Sequence, residues 1–559
     1  MKNILTYCSL ILAVNYCLVA QDLETIKDQK FVTYSGGISL NNTFYSAVGM
    51  QNQRDPYFWQ LNANLNFNFL NIVQVPFSAT FSQQQKNFNQ PQPFNRFGLS
   101  PTYKSLTAHL GHRSMSFSQF TLAGTMFFGA GLEFQPKDYP WRVSAMYGRL
   151  AKPVERFARD GLVFAEPTYR RAAYSVKAGY EEGDIAAHLI IFKSSDDENS
   201  ISVPDSIGVK PEENLVIGLV STFKFLKVFT FEIDYAHSML TRDKTAIETV
   251  ENEFSFRNNL GTLFTVNQSS SFSNALSSKL TFNGNLFQLN LAYRRIDPGY
   301  STHGSSFLNN DLQDISGGIA LPLFKGRVSL SSNLGFQKNN LDNQLAAEVT
   351  RLIFSSSASV AVSERLNTSV SFSNFSTGTS QTLIQDNLLS DSLEFFQVTR
   401  NGTLTTNYTI GANKQSSVFA TFSLQDATDS DNNESVFANA NAGYSTVINT
   451  VWRLNVNANY NNNVTMDSET TSIGPGVGLG RSLRDNRIQT NLALNLFNSY
   501  LNSDLQNRIA TVRLTASSSL GKRHSISLST FYTNRSTVQE ETSTNIKEVR
   551  GNVNYAFRL

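Results

Sequence analysis

The sequence predicts an all-β protein, a transmembrane, antiparallel, up-and-down β-barrel of about 24 or 26 strands. Three observations predict this fold class. Apolar and polar side chains alternate along many segments, connections between them are short at one end and long at the other, and no long apolar run follows residue 20. A membrane-spanning helix requires about 20 consecutive apolar residues, so a helical membrane protein is excluded.

The alternation is clearest in one segment near the N-terminus, where apolar residues alternate with Gln60 and four asparagines. Because successive side chains of a strand point to opposite faces, one face of this segment is apolar and the other polar. Its length is about that of one bilayer crossing by a tilted strand, so we predict that the apolar face contacts lipid. The predicted membrane-facing residues here are Trp59, Leu61, Leu65, Phe67 and Phe69.

Residues 1–20 have the outline of a secretory signal peptide, with Lys2 before an apolar run and polar residues after it. Both cysteines, Cys8 and Cys17, lie inside this segment, so a chain that begins at Gln21 has no thiol. That composition suits an oxidising compartment such as the periplasm. A lipid anchor at Cys17 is not favoured, because the preceding residues 14–16 do not form a small-residue lipobox.

Three segments are predicted in chain order: the signal peptide 1–20, a periplasmic lead 21–30, and the barrel 31–559. Within the barrel, residues 101–172 alternate least regularly and are predicted to fold into the lumen as a constriction or plug. Counting back from the last strand gives 19 strands from residue 173 onward. If both termini lie on the periplasmic side, the total number of strands must be even. Residues 31–172 must therefore supply an odd number of strands.

The connections between strands differ in length at the two ends. Short ones such as Leu226-Lys227, Asn283-Gly284-Asn285 and Lys325-Gly326 have the residue types of tight hairpin turns. This asymmetry is typical of outer-membrane barrels, which have short periplasmic turns and longer outer loops. Long polar connections are predicted at 195–213, 241–272, 296–311, 375–401, 426–435, 461–470, 498–506 and 533–544.

Charge and composition exclude other classes. The chain has 46 basic and 44 acidic residues, a formal charge of +2, so nothing predicts nucleic-acid binding. The 42 Phe and 20 Tyr suit apolar strand faces and interfacial girdles. The six histidines occur without a G-x-S-x-G or H-E-x-x-H motif, so we predict no enzyme, no catalytic residues and no cofactor.

A cluster of basic residues is the main candidate for an ion-selective lining, since rings of Arg or Lys select anions in pores. The alternative is that these side chains lie in a solvated loop, or pair with Glu155, Asp160 and Glu166. The lumen candidates are Arg142, Arg149, Lys152, Arg156, Arg159, Arg170 and Arg171.

An acidic segment, residues 426–434, offers oxygen ligands of the kind that calcium prefers. It lacks the turn glycine and the spacing of an EF-hand loop, so a solvated acidic loop is the favoured interpretation. The weak metal candidates are Asp426, Asp429, Asp431 and Glu434.

The last strand, Val549 to Leu559, alternates with Tyr555 and Phe557 on one face and ends in a hydrophobic residue. It resembles the C-terminal β-signal recognised by the outer-membrane barrel assembly machinery. The resemblance implies that Tyr555 and Phe557 face the membrane and that outer-membrane lipid and the assembly machinery are partners.

The segments 128–133 and 145–150, together with the Asn-rich strand faces, resemble large porin- and transporter-like barrels of Bacteroidota-type bacteria. The chain does not resemble a TonB-dependent receptor, because the strand pattern begins by residue 31 and leaves no room for a plug domain. The resemblance implies an integral protein of the outer membrane.

Two functions are compatible with this fold. The first is a channel or transporter that passes polar solutes through a lumen lined by Asn, Ser, Thr and Gln. The alternative is a structural or assembly subunit of a multi-protein outer-membrane complex, with its outer loops as the partner-binding surface. Other envelope proteins are partners under the second function, and nucleic acid is a partner under neither.

Overall fold

The computed structural model describes residues 30–559 except 53, 84–89, 160–161, 205–206, 248–262, 346, 384–390, 412–414, 450, 484–486 and 539–542. The predicted signal peptide, residues 1–20, and nearly all of the predicted lead lie outside the described residues. Within the described residues, 26 strands follow one another as antiparallel neighbours and close into a barrel. No helix of the described part is long and apolar enough to cross a membrane.

The strand bounds are as follows. One strand, β4, consists of two short segments that continue one another between the same two neighbours. In chain order the strands are β1 Val32–Val48, β2 Tyr57–Phe69, β3 Val73–Ser82, β4 Arg96–Leu99 with Thr102–Tyr103, β5 Leu106–Ser116, β6 Ala123–Phe134, β7 Trp141–Ala151, β8 Arg170–Glu182, β9 Ile185–Asp197, β10 Glu213–Phe225, β11 Phe229–Thr241, β12 Ser270–Asn283, β13 Gln288–Ile296, β14 Leu312–Leu323, β15 Val328–Asn339, β16 Ala347–Ala361, β17 Leu366–Leu383, β18 Asp391–Ile410, β19 Ser416–Asp429, β20 Glu434–Ile448, β21 Trp452–Val464, β22 Glu469–Leu483, β23 Ile488–Leu501, β24 Asp504–Leu520, β25 His524–Val538 and β26 Ser543–Arg558.

The barrel closes where β1 pairs with β26, from Gly37 opposite Arg558 to Val48 opposite Lys547. Closure pairs the backbone groups of both strands that would otherwise form sheet edges. A membrane requires this, because it offers no water to unpaired N–H and C=O groups. The predicted fold class is therefore confirmed, and the strand number is the larger of the two predicted values.

The hairpin of β2 and β3 illustrates how the local sequence sets the register. Leu70 and Asn71 have φ values of 53° and 55°, the left-handed conformation that favours a tight hairpin turn. The turn places Leu65 opposite Phe77 and Leu61 opposite Phe81, so the apolar faces of both strands coincide. A one-residue slip would turn every apolar side chain to the other face.

The two ends of the barrel differ. We call the end that holds residues 70–72 and the other short turns the turn end, and the opposite one the loop end. In the first half of the chain, long connections at the loop end separate the strands. They are residues 83–95, 152–169, 198–212, 242–269 and 297–311, and the last three match the long connections predicted at 195–213, 241–272 and 296–311.

In the second half, the prediction of long loops was wrong at several places. The predicted loop 375–401 is mostly strand, since β17 and β18 pair up to Leu383 opposite Asp391. The predicted loop 498–506 is reduced to a turn at Asn502 and Ser503. Polar side chains at the strand ends suggested loops, but a paired strand that extends beyond the apolar band has water on its faces and tolerates them.

Residues 101–172 were predicted to be irregular, yet they contain the regular wall strands β5, β6 and β7. Of the described residues in this region, 117–122 fold inward, between β5 and β6. A small hairpin of Phe157–Arg159 with Leu162–Ala165 lies between β7 and β8.

Buried apolar side chains concentrate on one side of the barrel interior. They come from the inner faces of β5 to β14 and from the connections 117–122 and 297–311. This side of the lumen therefore contains a packed apolar core. The members include Met115, Phe117, Phe120, Leu122, Phe127, Met146, Leu150, Ile190, Phe192, Val216, Ile296, Tyr300 and Leu312.

A smaller cluster lies on the outer face of the wall. Phe264 of the connection 242–269 packs on Leu215 and Met239, which are opposite each other on β10 and β11. The ion pair between Lys193 and Glu213 is buried beside it, with the Lys193 ammonium 5.2 Å from the centre of the Phe264 ring. The connection thus covers an ion pair that would otherwise be exposed on the outer face of the wall.

Candidate functional site

The lumen wall outside the core is mainly polar, with isolated rings such as Phe419 and Phe497 among the polar side chains. On β21, Val456 and Tyr460 are 45% and 41% exposed on the outward face, so the alternating residues Asn457 and Asn459 point inward. The same inner face of β22 consists of glycines and hydroxyl residues. Its inward glycines are Gly474, Gly476, Gly478 and Gly480.

Two connections at the loop end fold into the lumen, residues 117–122 and 297–311, and we call them the inner loops. They are bonded to each other through side chains of the second loop. The Tyr300 hydroxyl donates to the Phe120 carbonyl at 2.6 Å, and the Thr302 hydroxyl donates to the Thr121 carbonyl at 2.9 Å. Tyr300 is buried against Phe120, and burial raises its pKa, so the hydroxyl stays protonated as a donor.

Gly304 allows the closest approach of the two inner loops. A Cβ at this position would lie 2.2 Å from the Thr121 carbonyl oxygen, so only glycine fits. The Gly304 carbonyl accepts hydrogen bonds from the Ala123 amide at 2.8 Å and from the Thr125 hydroxyl at 2.6 Å. The inner loops therefore form one packed unit.

The first inner loop lies directly on the barrel wall. Ser118 donates to Asp234 of β11 at 2.9 Å, on the inner face of that strand. A Cβ at Gly218 of β10 would lie 2.6 Å from the Thr121 methyl group. Because Gly218 has no side chain, the first inner loop can occupy this space.

A buried polar network attaches the second inner loop to the wall. His303 Nε2 lies 3.0 Å from Glu212 Oε2, and its Nδ1 lies 2.8 Å from the Ser194 hydroxyl. The His303 amide donates to Asn214 Oδ1 at 3.2 Å. Ser194 and Asn214 stand on the inner faces of β9 and β10, so the loop is held by two adjacent strands.

Arg171 completes this network from the inner face of β8. Its guanidinium forms two hydrogen bonds to Asp196, of 2.7 and 2.8 Å, and one of 2.8 Å to Glu212. Such forked contacts with carboxylates are strong and directional. Glu212 is therefore shared between a wall arginine and a loop histidine.

The pKa values of the two loop groups follow from this arrangement. Burial raises the pKa of Glu212, but the hydrogen bonds of His303 and Arg171, and the positive charges that these groups carry in acid, outweigh it and lower the pKa to about 2. Burial lowers the pKa of His303, and the nearby Arg171 charge acts in the same direction. At neutral pH, His303 is thus neutral and Glu212 is ionised, which suits an Nε2–H donor to the carboxylate.

Two of the seven predicted basic lumen residues are on inner faces, and both are paired with carboxylates. Arg171 is in the network above. Arg142 lies near the turn end, 3.2 Å from Glu181, and donates to the carbonyl groups of Pro136 and Tyr139. Their effect on ion selectivity stays a prediction.

The other basic candidates do not line the lumen wall together. Arg149 is on the outward face of β7, with its guanidinium 5.4 Å from the Phe128 ring centre. Arg170 is on the outward face of β8, 3.9 Å from Asp197. Lys152 and Arg156 lie in the connection 152–169, and the side chain of Arg159 lies outside the described residues.

The four weak metal candidates do not meet. Asp426 pairs with Arg400 at 3.1 Å, and Asp429 accepts backbone hydrogen bonds from Asp431 and Asn433 at 3.0 and 2.9 Å. These bonds form a tight turn just before Glu434. In the described part of the chain, no three His, Cys, Asp or Glu side chains are grouped so as to hold a metal ion.

The predicted membrane-facing residues share the outward face. Leu61 and Leu65 of β2 lie on it, and so do the three aromatic candidates of that strand, Trp59, Phe67 and Phe69. On β26, Tyr555 and Phe557 are opposite Leu40 and Ile38 of β1 and extend the same apolar surface. Their contact with lipid stays a prediction.

The inner loops and the His303 network were not predicted from the sequence. His303 is 91 residues from Glu212 and 109 from Ser194, so no local spacing brings them together. One signal was available. The apolar run 188–192 places Ile190 and Phe192 on the inner face and Leu189 and Ile191 on the outer face, which indicates a core inside the barrel.

The closed wall of 26 strands, with its apolar outer face, defines a large antiparallel β-barrel of the transmembrane kind. No family model matches the chain, and a comparison with curated proteins gives no match.

Several solved structures have similar folds. The translocation pore of the P pilus usher PapC is 8% identical, with 94% of this chain and 99% of that chain covered and a TM-score of 0.38. The ferric yersiniabactin uptake receptor FyuA from Yersinia pestis is 11% identical, with 95% and 81% covered and a TM-score of 0.39. OpdQ from Pseudomonas aeruginosa is 12% identical, with 67% and 97% covered and a TM-score of 0.35. Similarities at this level carry no argument about function.

Proposed function

We propose that the protein is an outer-membrane channel for polar solutes, narrowed by the inner loops on one side of its lumen. One observation carries this proposal: the apolar core inside the barrel is confined to β5–β14 and the inner loops, whereas the inner face of β20–β26 is mainly polar, apart from isolated rings such as Phe497 and Phe531, and lacks that core among the described residues. A polar solute passing along this face exchanges hydrogen bonds with water for hydrogen bonds with amide and hydroxyl side chains.

The orientation and maturation belong to the same proposal. The turn end faces the periplasm, because short turns lie on that side in outer-membrane barrels. Residues 1–20 direct export and are removed, and β26 engages the barrel assembly machinery. We further propose that the bacterial source is of the Bacteroidota type and that the barrel has no separate plug domain, so the inner loops provide the constriction.

Conductance tests the proposed function. Purified full-length protein in planar lipid bilayers is expected to give steady current, and vesicles that contain it should swell in solutions of small neutral sugars. Absence of current and absence of swelling would together contradict the channel function. Silence together with stable co-purification of other envelope proteins would favour the alternative, an assembly subunit with its outer loops as the partner-binding surface.

A further inference from the structure

Four adjacent strands place a row of polar side chains at one level of the inner wall. Arg294 of β13 is opposite Asp314 of β14, Asp314 is opposite Gln337 of β15, and Gln337 is opposite Arg351 of β16. The outward neighbour Ile315 is 55% exposed, so the row points into the lumen. The register alone therefore assembles these four side chains.

The charges of this row are unevenly matched. The Arg294 guanidinium lies 2.6 Å from Asp314, so both are neutralised by each other. Arg351 donates to the Gln337 amide oxygen at 3.1 Å, and in the described part of the chain it forms no ion pair with a carboxylate. An arginine carries five N–H donors in a planar fork. Arg351 thus offers a positive charge and several donors to the lumen.

A recess of about 870 Å³ lies between this row and the second inner loop. That volume lies within the range of small-molecule sites. Amide side chains line much of it, and they both donate and accept hydrogen bonds. The amides are Gln119, Asn309, Asn310, Gln337 and Asn339.

Phe307 also lines the recess, and its side chain is 96% exposed. The loop that carries it is held in place, because Asn310 donates to the Tyr300 carbonyl at 2.8 Å and Asp311 accepts from the Leu341 amide at 2.8 Å. The exposed ring is therefore held at the edge of the recess, where it can contact a ligand and bury apolar surface at about 25 cal/mol per Å².

We propose that this recess binds a carboxylate-bearing sugar. The Arg351 fork matches a carboxylate with two parallel hydrogen bonds. The amides match sugar hydroxyls, and the Phe307 ring covers the apolar C–H face of the sugar ring. The inference deepens the proposed channel function, since it names a solute class for the same lumen.

The experiment measures binding on the folded full-length protein in detergent by isothermal titration calorimetry, so it does not depend on conductance. Sodium glucuronate is expected to bind more tightly than glucose and more tightly than acetate. Arg351→Gln should weaken glucuronate binding roughly tenfold, the effect of losing a charge-assisted hydrogen-bonded pair. Phe307→Ala should weaken glucuronate and glucose alike.

Two matched variants serve as controls. Arg400→Gln removes an exposed arginine of β18 that pairs with Asp426, and Phe324→Ala removes a 75% exposed ring at the turn end. Both should bind glucuronate like the unchanged protein.

Equal affinity for glucuronate and glucose, or for glucuronate and acetate, would overturn the inference. So would tighter binding of glucose 6-phosphate than of glucuronate, because the recess would then select phosphate. Current without selective glucuronate binding would overturn this inference and still support the channel function. Selective glucuronate binding without current would support this inference and contradict the channel function.

Discussion

His303 Nε2 lies 3.0 Å from Glu212 Oε2 and fixes an inner loop to the barrel wall. The His303 side chain is buried and Glu212 is partly exposed, and the contact is supported by Arg171 on one side and Ser194 on the other. It joins residues of two different connections, so it fixes the position of the second inner loop in the lumen.

Replacing His303 should loosen this loop. His303→Ala leaves Glu212 and Ser194 without their loop partner, and a lost hydrogen bond to a charged group costs about 1.5–3 kcal/mol. The midpoint of urea unfolding in detergent, followed by tryptophan fluorescence, should fall. His524→Ala, at a turn where His524 contacts Tyr555, is the control and should change the midpoint little. Equal midpoints for both variants would contradict the anchoring role.

Acid should weaken the same attachment in two stages. Burial lowers the pKa of His303 from 6.5, so its stabilising contribution is complete above about pH 6.5 and decreases as the pH falls below that value. The pKa of Glu212 is lowered from 4.5 to about 2, so its contribution is complete above about pH 4.5 and is lost as the pH falls through 2.

Hydrogen exchange of residues 297–311, corrected for intrinsic exchange rates, measures this pH dependence. Protection should be higher at pH 8 than at pH 5 and lower again at pH 3. In His303→Gln the difference between pH 8 and pH 5 should shrink. Unchanged protection from pH 8 to pH 3 in the unaltered protein would show that neither group stabilises the loop.

Gly304 should not tolerate a side chain. In Gly304→Val the new Cβ meets the Thr121 carbonyl oxygen at 2.2 Å, so the inner loops must separate. Overpacking of this kind costs about 1–3 kcal/mol, and the wider lumen should increase single-channel conductance. Gly402→Ala is the control, because a Cβ there meets nothing within 4 Å. A conductance that stays the same in Gly304→Val would argue against a constriction by the inner loops.

The assignment of the two faces of β2 is also testable. Leu65→Arg places a charge on the predicted lipid face and should hinder assembly by about 2–4 kcal/mol near the membrane midplane. Asn64→Arg places the same charge in the lumen and should be tolerated. Heat-modifiable migration in detergent gels reports assembly. Equal assembly of the two variants would mean that the faces are reversed.

Much of the fold follows from short-range patterns. The alternation in β2 and β21 predicts strands and their two faces, and pairs such as Leu226-Lys227 predict turns, where both residues indeed have positive φ values of 52° and 61°. Parity along the chain gives an even strand number. These features depend on residues that are close together in the sequence, so they can be predicted from it.

The candidate site depends on contacts between distant residues. Arg170 and Arg171 are adjacent and must point to opposite faces of β8, so both cannot line the lumen, and Arg142 and Arg149 are separated by an odd number of positions on β7. The alternation of faces along a strand therefore predicts that these basic side chains cannot all line the lumen. The pairing of His303 with Glu212 had no such local signal, because it requires the inward fold of a loop.

Polar solutes and ions are proposed to cross the lumen along the mainly polar inner face of the later strands. Gly478 is inward on β22, where a Cβ would have ordinary contacts of 3.8 Å with Ala493 and Asn455. Single-channel current of Gly478→Phe, compared with that of Val477→Phe on the outward face, tests this claim most directly. We predict lower conductance for Gly478→Phe and unchanged conductance for Val477→Phe. Equal conductance of the two variants, or no current from the unaltered protein, would contradict it.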